Sequence, residues 1–132
     1  MKFTKIADMV LRAAVEMKCA RQVLKDDPQL HTAQELALAH FPHKRWLRKL
    51  LRQQTVGVVF MLCALVRIGS REDEQDFDLL DVYCRVSGKA RTQRAAIFYL
   101  LWEKQLFDFL NRGWDRVEAR GIDLDKWMAP GN

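Results

Sequence analysis

The stretch Thr55-Val56-Gly57-Val58-Val59-Phe60-Met61-Leu62-Cys63-Ala64-Leu65-Val66-Arg67-Ile68 decides the fold class. Its β-branched residues Val56, Val58, Val59 and Val66 suit a strand as well as a helix. A strand needs a neighbour to satisfy its backbone N–H and C=O groups, and no second convincing strand occurs in the chain. The stretch therefore reads as a buried helix ending at Gly69, either separate from the helix before it or continuous with it and bent near Gly57. The apolar run from Val56 to Val66 is followed by Arg67 and falls well short of the roughly 20 residues a membrane span needs. The expectation is all-α: a compact bundle of five to seven helices in a single domain over residues 1–132, with a candidate helix-turn-helix unit in its N-terminal half.

Upstream, Ile6, Val10, Ala13, Met17, Ala20 and Leu24 alternate in spacing between four and three, which places them on one face of a first helix over residues 4–25. Asp26-Asp27-Pro28 ends it, because the residue before a proline is driven out of the helical region. The capping box Thr32-Ala33-Gln34-Glu35 opens a second helix with Leu36, Ala37 and Phe41 as its apolar positions, and Pro42 stops it. Pro42 also suits the first turn of a third helix, running from His43 at least to Gln54.

Downstream, a fourth helix is expected over residues 76–87, closed by Gly88. A fifth runs over residues 92–111, with Arg112-Gly113 as its stop. Residues 95–102 are apolar all round, the pattern of a central helix surrounded by others. A short piece at 114–120 and a turn near 123–128 complete the chain.

Of the 132 residues, 49% are hydrophobic and 30% charged, a balance that excludes a disordered chain. The three cysteines, Cys19, Cys63 and Cys84, are odd in number and far apart, and they read as reduced, buried thiols rather than a disulfide framework. No apolar signal segment follows Met1-Lys2-Phe3. A soluble, cytoplasmic protein without a membrane partner is expected. Trp102, Trp114 and Trp127, with Phe98, Phe107 and Phe109, supply aromatic area for the core. Trp127-Met128, near the terminus, offers a partner or dimer surface instead.

Enzyme signatures fail on inspection. Ser87-Gly88-Lys89 has the outline of a phosphate loop, but Tyr83 stands where the first glycine belongs and Ala90 where a magnesium-binding hydroxyl belongs. His40 and His43 span Pro42, and no Cys or carboxylate cluster stands close in sequence to complete a metal site. No catalytic residue, metal or cofactor is assigned.

The informative segment is His43-Lys44-Arg45-Trp46-Leu47-Arg48-Lys49-Leu50-Leu51-Arg52-Gln53-Gln54. On an ideal helix with Lys44 at the origin, Arg48, Arg52, Arg45 and Lys49 fall at roughly 40°, 80°, 100° and 140°. Trp46, Leu50, Leu47 and Leu51 fall at roughly 200° to 340°, on the opposite side. The net charge of the whole chain is +5, and this segment alone carries five cations and no acid, so the rest balances to zero. Like charges at Lys44/Arg48, Arg48/Arg52 and Arg45/Lys49 each cost a few tenths of a kcal/mol in an isolated helix, a penalty that phosphates or an acidic surface would relieve. As the second helix of a helix-turn-helix, with Leu36, Ala37, Leu47 and Leu50 between the helices, the segment would turn His43, Lys44, Arg45, Arg48, Lys49 and Arg52 toward DNA. An ordinary solvated face gives the same pattern.

A second basic group, Arg85, Lys89, Arg91 and Arg94, straddles Gly88 at the start of the fifth helix, where cations oppose the helix dipole unless they hold an anion. Loop charges reaching Asp78 or Asp81 explain it equally. Glu72, Asp73, Glu74, Asp76, Asp78 and Asp81 form an acidic block that could dock on the basic helix of the same molecule or of a second one, giving a homodimer. The function expected is a small nucleic-acid-binding or regulatory protein holding the phosphate backbone of DNA or RNA through Lys44, Arg45, Arg48, Lys49 and Arg52. The alternative is a non-enzymatic interaction module, an adaptor or inhibitor, docking on an acidic or apolar protein partner.

Overall fold

The computed structural model describes residues 2–26, 33–71 and 76–128, which form the helices α1 (Phe3–Asp26), α2 (Ala33–Arg52), α3 (Val56–Ser70), α4 (Leu79–Ala90), α5 (Gln93–Trp102), α6 (Leu106–Ala119) and α7 (Leu124–Trp127). No strand occurs among the described residues, so the all-α reading holds. None of these helices is long and apolar enough to cross a membrane.

The ambiguous apolar stretch is the buried helix α3, whose positions from Val59 to Val66 all lie in the core with Ile68 and Gly69. It lies against α6, α4 and α5, while α1 packs against α2, α6 and α7. The four-three spacing of α1 is realised as far as Met17: Ile6, Val10, Ala13 and Met17 are buried and Ala20 is half-buried, while the side chain of Leu24 lies outside the described residues. Its N-terminus is tied to α7 across the whole chain, for the Thr4 backbone N–H and hydroxyl each donate to the Asp125 carboxylate at 2.8 Å.

The expected turn at Phe41-Pro42-His43 is absent. α2 is one helix with Pro42 inside it, so residues 33–52 do not form a helix-turn-helix. A proline within a helix deletes one hydrogen bond and crowds the preceding turn, which kinks or breaks helices that lack compensation. Here the amphipathic register continues beyond it: Leu47, Leu50 and Leu51 are buried, and His43 turns to α1, its Nδ1 3.1 Å from the Glu16 carboxylate. The Thr32 cap lies outside the described residues, as do the side chains of Leu36, Ala37 and Phe41.

The break before α3 falls at Gln53-Gln54-Thr55 rather than Gly57. Gln93, the first residue of α5, satisfies this break from outside: its side-chain amide donates to the carbonyls of Leu51 and Gln54, at 3.3 and 2.7 Å.

α4 is capped by Asp78, which accepts the N–H groups of Leu80 and Asp81. It passes through Gly88 and ends instead at Arg91, the residue that takes the left-handed conformation at φ 65°. Thr92 then caps α5 by accepting the Ala95 N–H at 3.1 Å.

The single helix expected over 92–111 is two. The chain turns at Glu103-Lys104-Gln105, where the Glu103 side chain accepts the Gln105 N–H at 3.2 Å. α6 then runs through Gly113 instead of stopping there. Nor is α5 central: Phe98, Tyr99 and Trp102 are 62%, 44% and 62% exposed, while only Ala96, Ile97 and Leu100 reach the core. Trp46, expected on the apolar side of its helix, is 46% exposed. Of the cysteines only Cys63 is buried, its Sγ 3.5 Å from the Ala96 carbonyl, while Cys19 and Cys84 are exposed. Trp114 and Trp127 do pack on the core, Trp127 edge-on to Tyr83 with ring centroids 5.4 Å apart.

Candidate nucleic-acid interface

The cationic half of α2 begins where its buried leucines begin. Leu47, Leu50 and Leu51 fix the rotation of the helix in the core, and helical geometry then forces Lys44, Arg48 and Arg52 to the side facing α5. Arg48 and Arg52 line a groove of about 950 Å³ whose other wall is α5, contributing Arg94, Ala95, Ile97, Phe98, Leu101 and Trp102. Thr92 and Gln93 close its end. The hydrogen bonds from Gln93 to the carbonyls of Leu51 in α2 and Gln54 just beyond it hold these two walls together.

Lys44 enters the same neighbourhood by a different route. Its ammonium lies 4.0 Å from the centroid of the Trp102 ring, a cation–π contact between α2 and α5. Burial first, and then the charge of Arg21, holds the Lys44 amine below the usual lysine range. Arg45 and Lys49 are exposed and lie further round the helix, away from the groove lining. The five cations thus divide: Lys44, Arg48 and Arg52 turn toward α5, and Arg45 and Lys49 flank them on the outer face. His43 leaves the set altogether for Glu16.

The second basic group divides as well. Arg94 joins Arg48 and Arg52 in the groove. Arg85 and Lys89 instead line a smaller cavity of about 290 Å³ with Arg67, Cys63, Val86 and Tyr99, and Arg85 also pairs with Asp81 one turn earlier at 3.1 Å. Arg91 lines neither space: its backbone N–H donates to the Ser87 carbonyl at 2.9 Å at the end of α4, and its side chain is exposed.

The acidic block has uses at home. Asp76 pairs with Arg120 at 3.0 Å, Asp78 caps α4, and Asp81 pairs with Arg85. Glu72, Asp73 and Glu74 lie outside the described residues. No acid lines the α2–α5 groove, and Arg48, Arg52 and Arg94 have no ion-pair partner among the described residues.

Sequence reasoning found the α2 cations but missed what stands opposite them. Phe98 and Trp102 are one turn apart and share a face of α5, their ring centroids 5.8 Å apart and their planes tilted by 42°. That spacing is visible in the sequence; the exposure is not, because an all-apolar segment does not say which face meets the core. Among the described residues no group of three or more His, Cys, Asp or Glu side chains is placed to hold a metal. In comparisons with known proteins no family model matches the chain, and neither a curated protein nor a solved structure matches it.

Proposed function

We propose that the chain is a non-enzymatic nucleic-acid-binding protein that holds phosphates in the groove between α2 and α5, with Arg45 and Lys49 adding charge on the outer face of α2. The observation that supports this reading best is the convergence of Arg48 and Arg52 from one helix with Arg94 from another on a groove that no acid lines among the described residues. Basic residues near the end of α2 have a structural use, since Lys49 and Arg52 complement the dipole of its last turn. Arg94 has no such use. It stands in the first turn of α5, where a cation is unfavourable, and that turn contains no acid. An anion between the helices would reconcile the three guanidiniums, and a polyanion would extend to Arg45 and Lys49.

The test is a salt titration of binding to a labelled oligonucleotide, with the triple variant R48A/R52A/R94A beside the parent. Binding is expected to weaken steeply with salt, and the variant is expected to show both weaker binding and a shallower salt slope. Equal affinity and equal slope for the two proteins would remove the groove from the function. If the parent binds an acidic polypeptide in the same titration but no nucleic acid, the groove serves an acidic protein partner instead.

A further inference from the structure

We infer that the polynucleotide accepted by this groove is single-stranded, with its bases stacking on Phe98 and Trp102 while Arg48, Arg52 and Arg94 hold its phosphates; this rests on the nucleic-acid reading above and specifies its ligand. The aromatic pair is the first argument. Two large rings, each 62% exposed, stand one turn apart in the lining of a groove that also carries three guanidiniums. Leaving that much aromatic surface in water gives no return to folding. Aromatic faces interleaved with cations along a groove are the combination that binds unpaired strands, because every base has a π-face and every linkage a phosphate. In a duplex the bases are stacked on one another and offer no free face to a ring.

The second argument is what the groove lacks. Duplex sequence is read in the major groove by guanidiniums on guanine and by amides and hydroxyls on the other base edges, and the three guanidiniums here are assigned to phosphates. The groove carries the exposed rings of Phe98 and Trp102 where such amides and hydroxyls would stand. Among the described residues the groove is lined by one amide, Gln93, which is occupied by the Leu51 and Gln54 carbonyls, and by one hydroxyl, Thr92, which accepts the Ala95 N–H. Gln54 donates to the Leu50 carbonyl at 3.2 Å. With its amides engaged and its aromatics exposed, the groove favours stacking over edge reading, so little sequence preference is expected.

Lys44 supplies the third argument. Its ammonium lies over one face of the Trp102 ring, which restrains the indole before any ligand arrives and leaves the base to stack on the opposite face. A pre-positioned ring loses less freedom when a base settles against it. The fixed cation also adds to the field that draws in the strand.

The experiment measures fluorescence anisotropy of labelled oligonucleotides of about 12 units, within the usual length range of such sites. Oligo-dT, oligo-rU and a duplex of equal length are each titrated at low salt. The parent is expected to bind the single strands at least tenfold more tightly than the duplex. The variant F98A/W102A should lose on the order of tenfold or more in single-strand affinity, with duplex binding nearly unchanged. W102F, which keeps a ring, should retain most of it. Both side chains are solvent-exposed, so circular dichroism of the variants should match the parent, and melting should fall only slightly in F98A/W102A through loss of the Lys44–Trp102 contact. Preference for oligo-dT or for oligo-rU would identify DNA or RNA as the source of the strand, and either supports the inference. Equal binding of duplex and single strand, untouched by F98A/W102A, would overturn it and leave the phosphate groove standing. No binding to any of the three would overturn both.

Discussion

Gly69 of α3 and Gly113 of α6 meet where the two helix backbones touch: a β-carbon added at Gly69 would lie 2.8 Å from the Gly113 nitrogen and inside the Phe109 carbonyl, and one added at Gly113 would overlap the Leu65 carbonyl. The obstruction at each is backbone, which cannot step aside as a side-chain tip can. Gly69→Ala and Gly113→Ala should therefore force α3 and α6 apart and each cost about 3 kcal/mol, at the upper end of overpacking penalties. Gly88→Ala is the control. It lies within α4 with open space around its Cβ position, and should raise stability by about 0.5–1 kcal/mol. Urea denaturation of the three variants checks both signs.

The same glycines show why part of the fold was hidden in the sequence. A glycine after an apolar helical run reads locally as a helix end, and Gly69, one residue from the end of α3, fits that reading. Gly113 looks alike and is mid-helix, because its meaning is set by a partner 44 positions earlier. The buried character of α3 was legible because nearly every side chain in it is apolar, and no rotation of such a helix exposes a polar face. For α5 the same uniformity misled. With apolar residues on all sides, the neighbours α2, α3 and α4 determine which face is covered, and Phe98, Tyr99 and Trp102 were left out. Pro42 misled in the other direction, a strong local signal for a break that α2 does not make. The cations of α2 were readable from helical angle alone. Arg94 was grouped with its sequence neighbours, and its place beside Arg48 and Arg52 required the packing of α5 on α2.

Gln93 positions the groove without being one of its charges. Its amide bridges α5 to the Leu51 and Gln54 carbonyls, so Gln93→Ala should lose about 1–2 kcal/mol of stability, the net worth of two part-buried hydrogen bonds. Gln93→Glu should be worse, because a carboxylate replaces the donor and faces two carbonyl oxygens. Oligonucleotide affinity should fall severalfold in Gln93→Ala as the two walls loosen, although no phosphate contact is removed. Thermal melting and anisotropy on the same samples check this. A variant that melts lower yet binds as the parent does would detach the α2–α5 brace from the groove.

Asp125 links stability to acid. Burial pushes its carboxyl up, but the Thr4 backbone and side-chain hydrogen bonds, with the Lys2 charge and the Phe3 N–H, outweigh that and hold it below its ordinary value of 3.8. A carboxylate whose folded-state pKa is depressed stabilises the fold above the unfolded-state value. That contribution fades as pH falls from the unfolded-state pKa through the still lower folded-state one. Asp125→Asn should therefore be less stable than the parent at neutral pH, by about 1–2 kcal/mol allowing for its partial exposure. The difference should shrink as the pH drops below about 4, where the parent's carboxylate also loses its charge. Thr4→Val removes only the hydroxyl bond and should give a smaller loss with the same pH trend. Denaturation midpoints measured from pH 7 down to pH 3 decide it: parallel curves for parent and Asp125→Asn would mean that the Thr4–Asp125 contact holds α1 to α7 without any contribution from charge.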